Sequence, residues 1–72
     1  MPKANISNKV RRLRFERGEM TQQELADRIG CTRQTVIMLE QGRYVPSLAL
    51  ALRIAQAFGT SVDDIFTLEN SG

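Results

Sequence analysis

Residues 21–41 hold two helix-forming stretches with three residues between them, and this spacing constrains the fold more than any other feature of the chain. Thr21-Gln22-Gln23-Glu24 has the form of a capping box, with threonine at N-cap and glutamate at N3. Met20 and Leu25 occupy the flanking staple positions. The apolar period Leu25, Ala26, Ile29 stops at Gly30, a residue that tolerates the left-handed conformation in which helices end. Thr32 can cap the stretch that follows. Two short helices joined by a three-residue turn containing glycine form one supersecondary unit, and the small Ala26 is placed where they should cross closely.

The same punctuation recurs along the chain. Gly18, Gly42 and Gly59 each follow a helix-like segment, while Ser47 and Ser61 stand where caps are needed. Asp63 and Asp64 suit the first turn of a short last helix, where negative charge meets the helix dipole. The pattern predicts five helices, at 7–17, 22–29, 33–41, 48–58 and 62–66, in one domain spanning 1–72. The expected fold class is all-α, with the helix-turn-helix unit at 22–41. The inward positions are Val10 and Leu13, Leu25, Ala26 and Ile29, then Val36 and Leu39. On the fourth helix they are Leu48, Ala51, Leu52, Ala55 and Phe58, and on the fifth Val62, Ile65 and Phe66.

Composition narrows what such a domain can do. At 42% hydrophobic and 25% charged residues the 72-residue chain is an ordinary globular domain rather than a disordered one. A chain this short buries only about 60% of its unfolded surface, and dimerisation is one remedy. The longest apolar run, Leu48 to Leu52, is far short of the roughly 20 residues of a membrane span. The chain has no histidine, which removes the commonest general base and the commonest metal ligand together. No glycine-rich phosphate loop or metal-ligand cluster is present, and Asp63 and Asp64 are adjacent on a helix and do not converge. An enzyme, a cofactor, a bound metal and a small-molecule ligand are therefore not expected. The lone Cys31 reads as a small turn residue and fits a reducing cytosol. The net charge of +2 is unevenly placed. Residues 1–46 carry nine Lys or Arg against five Asp or Glu, and residues 47–72 carry one against three. A basic front is either one side that meets a polyanion or an ordinary solvated surface.

Thr21-Gln22-Gln23-Glu24-Leu25-Ala26, Gly30, Thr32-Arg33-Gln34-Thr35-Val36, Leu39-Glu40-Gln41-Gly42-Arg43 and Pro46-Ser47 stand in order at a spacing that resembles the lambda-repressor-like, Cro/C1-type (XRE) helix-turn-helix regulators. The resemblance extends over residues 5–68, most closely to compact single-domain members with a Tyr-x-Pro-Ser-Leu loop and an Asp-Ile-Phe ending. It implies a five-helix fold, major-groove binding of double-stranded DNA and a homodimer. Some compact members also pair short terminal strands, for which Ala4–Ile6 and Phe66–Leu68 are the candidates. The connection from Arg14 to Gln22 is one residue longer than the commonest family pattern, and an Arg14–Glu40 ion pair is implied by relatives.

At 100° per residue, Val36 and Leu39 point inward and Arg33, Gln34, Ile37 and Met38 outward, which makes those four the expected base contacts. Arg33 can pair with guanine or bind phosphate, and Gln34 can pair with adenine. Ile37 and Met38 can meet thymine methyls or are scattered surface hydrophobics. The expected backbone contacts are Gln22, Thr32, Thr35, Gln41, Arg43 and Tyr44. Of these, Thr32 can also be a simple cap, Thr35 a packing residue, and Tyr44 a residue packed under its loop. A second apolar arc on the fourth helix, Leu50, Ile54 and Ala57, joined by Ile65 and Phe66, is the expected dimer interface or is covered within the chain. The function implied is a cytoplasmic, nucleoid-associated repressor on an inverted-repeat operator. The alternative is an antitoxin or adaptor whose main partner is another protein.

Overall fold

Each of the last four helices begins where a hydroxyl side chain meets a backbone N–H of its first turn. The computed structural model describes residues 4–70. The elements are β1 (Ala4–Asn8), α1 (Val10–Glu16), α2 (Gln22–Ile29), α3 (Arg33–Glu40), α4 (Leu48–Phe58), α5 (Val62–Ile65) and β2 (Phe66–Asn70). Thr21 caps α2 reciprocally: the Glu24 N–H donates to Thr21 Oγ1 at 3.0 Å, and the Thr21 N–H donates to Glu24 Oε1 at 3.1 Å. The Thr21 backbone N–H, and then its side chain, hold the Glu24 carboxyl below its ordinary range. Thr32, Ser47 and Ser61 cap α3, α4 and α5 in the same manner. The Thr60 hydroxyl, then that of Ser61, likewise lower the Asp64 carboxyl.

α2 ends at Gly30 with φ +74°. There the N–H groups of Gly30 and Cys31 both donate to the Ala26 carbonyl, at 2.9 and 3.0 Å. A side chain at Gly30 would be strained in that conformation. The turn lets α3 fold back on α2 over the fully buried Ala26. Met20, Leu25, Ile29, Val36 and Leu39 join Val10, Ile54, Phe58 and Ile65 in one core.

The first helix is shorter than its expected span of 7–17. Ser7 and Asn8 belong to β1 instead, because Asn8 has two tasks there. Its Oδ1 accepts from the Val10 N–H at 3.1 Å, starting α1, and its Nδ2 donates to the Leu39 carbonyl at 2.9 Å. The terminal strands do pair, and run longer than expected. They are antiparallel, with Ile6 opposite Leu68 and Asn8 opposite Phe66.

On α4 the expected inward arc is rotated. Leu50, Ala51, Ile54, Ala55 and Phe58 are buried, whereas Leu48 is 73% and Leu52 49% exposed. The helix is apolar around more than half its circumference, so periodicity alone does not say which edge meets the core. Packing against α2 and α5 decides it.

The connection between α1 and α2 turns through two consecutive left-handed residues, Gly18 at φ +76° and Glu19 at φ +57°. The chain then returns so that the Met20 N–H donates to the Arg14 carbonyl at 2.9 Å.

Candidate nucleic-acid interface

The outer face of the α2–α3 unit is built on one buried ion pair. Arg14 Nη2 donates to Glu40 Oε1 at 3.0 Å, alongside a second bond from Nε to Oε2. Arg14 Nη1 donates to the Met20 carbonyl at 2.8 Å, and Gln22 Nε2 donates to Glu40 Oε1 at 3.2 Å. The end of α3 is thereby tied to α1 and to the start of α2. The Arg14–Glu40 pair expected from the resemblance is present.

Arg33 and Gln34 occupy the first turn of α3, and both are exposed. Arg33 meets no carboxylate among the described residues and shares a cleft with Gln22 and Gln23 at the start of α2. Helix geometry leaves the first backbone N–H groups of α2 without intrahelical acceptors, and they adjoin that cleft. Ile37 and Met38 are half-buried rather than fully open. They continue the face of Arg33 and Gln34 one turn along.

The residues expected on the DNA backbone occupy several settings. Gln22 is half-buried and committed through its amide to Glu40. Thr32 accepts from the Thr35 N–H at 3.2 Å, and the two hydroxyls lie 3.0 Å apart. Thr32 is thus a working cap, and its hydroxyl is engaged with that of Thr35. Gln41, Arg43 and Tyr44 are exposed in the loop after α3. The Arg43 N–H donates to the Met38 carbonyl at 3.0 Å, which fixes where the loop leaves the helix. Arg43, like Arg33, has no carboxylate partner among the described residues. Burial pushes the Cys31 thiol up, away from a reactive thiolate.

Three of the five residues expected at a dimer surface lie inside the protomer. Leu50 is 9% exposed, Ile54 0% and Ile65 1%. They belong to the core, because α4 turns this edge toward α2. Ala57 and Phe66 are half-buried and pack against the same core. The apolar side chains left open near the start of α4 are Val45, Leu48 and Leu52, which periodicity assigned inward or passed over.

Comparison with known proteins agrees with this architecture. Residues 11–65 match the family model described as helix-turn-helix. A helix-turn-helix-type transcriptional regulator of Methanothermobacter thermautotrophicus is 56% identical over 64 residues, covering 88% of this chain and 91% of that one. The regulator YgzD of Bacillus subtilis, of the same description, is 48% identical over 64 residues, covering 89% and 96%. A crystal structure from Bacteroides fragilis superposes with a TM-score of 0.76 at 18% identity, covering 86% of this chain and 98% of that one, and shares the fold. The chain belongs to the XRE-type helix-turn-helix family. That places it among DNA-binding transcriptional regulators and not among enzymes.

Proposed function

We propose that this protein is a sequence-specific repressor that binds an inverted-repeat operator in double-stranded DNA as a homodimer. The observation that carries this reading is the first turn of α3. It presents Arg33 and Gln34 side by side, exposed and uncommitted, beside the start of α2. In this motif the N-terminal part of the second helix enters the major groove. Arg33 then reaches guanine O6 and N7, and Gln34 adenine N6 and N7. Met38 and Ile37 follow with apolar surface for thymine methyls. Arg43, Gln41 and Tyr44 contact phosphate on one flank. The start of α2, with Gln22, contacts it on the other, and Thr32 and Thr35 line the groove edge. These backbone contacts supply affinity and register, and the base contacts supply the sequence.

A single module this small touches few base pairs, so specificity calls for two. Leu48 and Leu52 lie one turn apart on α4 and are exposed, as is Val45 in the loop before the helix. A second copy of the chain, related by a two-fold axis, would cover them. The partner so chosen is another protomer rather than a toxin or other protein, and occupation of a promoter makes repression the default. No helix among the described residues is long and apolar enough to cross a membrane, and the DNA partner proposed here calls for a protein that acts at the nucleoid, in the cytoplasm.

Selection from a random duplex library at fixed, near-physiological salt tests this reading. Enrichment of an inverted repeat with half-sites about ten base pairs apart is the expected result. Enrichment of a single half-site would overturn the dimer, and no enrichment would overturn sequence reading by α3.

A further inference from the structure

Four arginines stand on α1 and its end, and the structure gives them different environments. Arg14 is buried against Glu40. Arg17 donates from Nε and Nη2 to the Phe58 carbonyl at 2.9 and 2.7 Å, closing the end of α4. Arg12 is held by Glu16 at 3.1 Å. Arg11 is exposed and meets no carboxylate among the described residues. Its guanidinium lies 5.7 Å from the centre of the Phe15 ring, which the buried Arg14 guanidinium also approaches, at 5.3 Å. Phe15 is itself 52% exposed. A cation held over an aromatic face is oriented without being neutralised.

Arg11 also lines a groove with Gln22, Ile37 and Gln41, whose floor is the Arg14–Glu40 pair. Those three residues belong to the surface assigned above to DNA. The groove therefore runs continuously from the recognition helix onto α1, and its free positive group is Arg11. A guanidinium presents parallel N–H donors that match two oxygens of a phosphodiester.

We propose that Arg11 is a further phosphate-contacting residue, extending the DNA footprint from α3 onto α1, with Phe15 as the platform that holds its guanidinium in place. The inference rests on the DNA-binding reading. The contact is to the backbone, so it adds affinity and register and carries no base preference.

The test is a titration of fluorescent duplexes, one selected and one of random sequence, with the full chain at several salt concentrations. Arg11→Gln weakens binding to both duplexes roughly three- to tenfold and flattens the salt slope by about one unit. Arg12→Gln removes the same charge from the neighbouring position and has a much smaller effect, because Arg12 is already engaged by Glu16. Phe15→Leu keeps an apolar cover but removes the ring face. It weakens binding by less than Arg11→Gln does. Unchanged affinity and slope in Arg11→Gln would overturn the proposal, as would an equal loss in Arg12→Gln, which would make the effect one of net charge. Wild-type protein that binds neither duplex would instead overturn the DNA-binding reading, and the inference with it.

Discussion

Arg14 and Glu40 meet through two parallel N–H···O bonds, and each side chain is only 7% exposed. Nη1 of Arg14 reaches the Met20 carbonyl, and Gln22 adds a further donor to Glu40. No buried side-chain nitrogen or oxygen among the described residues lacks a partner. The pair therefore fixes how α1, the start of α2 and the end of α3 sit together, and with them the face that Arg33 and Gln34 present.

Breaking this pair from one side leaves a buried charge without its partner. Glu40→Ala is expected to lower unfolding stability by about 3–5 kcal/mol. Replacing both partners together, Arg14→Met with Glu40→Leu, recovers part of that loss, because no buried charge is left unpaired, although the Met20 carbonyl loses its donor. Urea unfolding of the three proteins measures both effects. A cost below about 1 kcal/mol for Glu40→Ala would assign the pair no more weight than an exposed one.

The capping box of α2 gives the fold a pH dependence of known sign. The Glu24 carboxyl titrates below its ordinary value of 4.5, because the Thr21 backbone N–H donates to its charged form. Its contribution to stability is thus fully present above pH 4.5 and is lost as pH falls through the lower folded value. Wild-type protein is expected to be more stable than Glu24→Gln at neutral pH, and the difference should shrink in acid. Parallel denaturation series between neutral and acid pH check this, and a difference independent of pH would remove the charge from the cap's role.

Base reading and backbone binding separate in two substitutions. Gln34→Ala should relax preference at one base pair per half-site, by about 1–3 kcal/mol of discrimination. Arg43→Ala should weaken all sequences about equally and reduce the salt slope by about one unit. Competition binding against single-base operator variants distinguishes them. A single lost base preference in Arg43→Ala would move that residue into the groove.

The two edges of α4 also make separable predictions. Leu48→Glu with Leu52→Glu places charge on exposed positions and should give folded monomers in sedimentation. Leu50→Glu with Ile54→Glu buries charge in the core and should leave the chain largely unfolded, since a buried unpaired charge costs several kcal/mol. A dimer that survives the first pair would place the interface on another surface.

Local signals in the sequence already determined much of this protein. Each helix start after α1 is written by a hydroxyl residue three positions before the N–H it receives, and the end of α2 by Gly30. Because these are contacts within one turn of chain, they are legible without knowing the fold. The outward position of Arg33 and Gln34 is equally local, since Val36 and Leu39 set the inward side of α3. The tertiary structure decided what depends on residues distant in sequence. It ended β1 at Asn8, because that side chain reaches Leu39. It turned Leu50 and Ile54 into the core and left Leu48 and Leu52 outside, because α4 is apolar on both edges and its packing against α2 and α5 breaks the tie. It also sorted four similar arginines into a buried pair, a helix cap, a surface ion pair and a free cation. The sequence alone cannot draw those distinctions, because the four carry the same charge and differ only in the groups that packing sets beside each guanidinium.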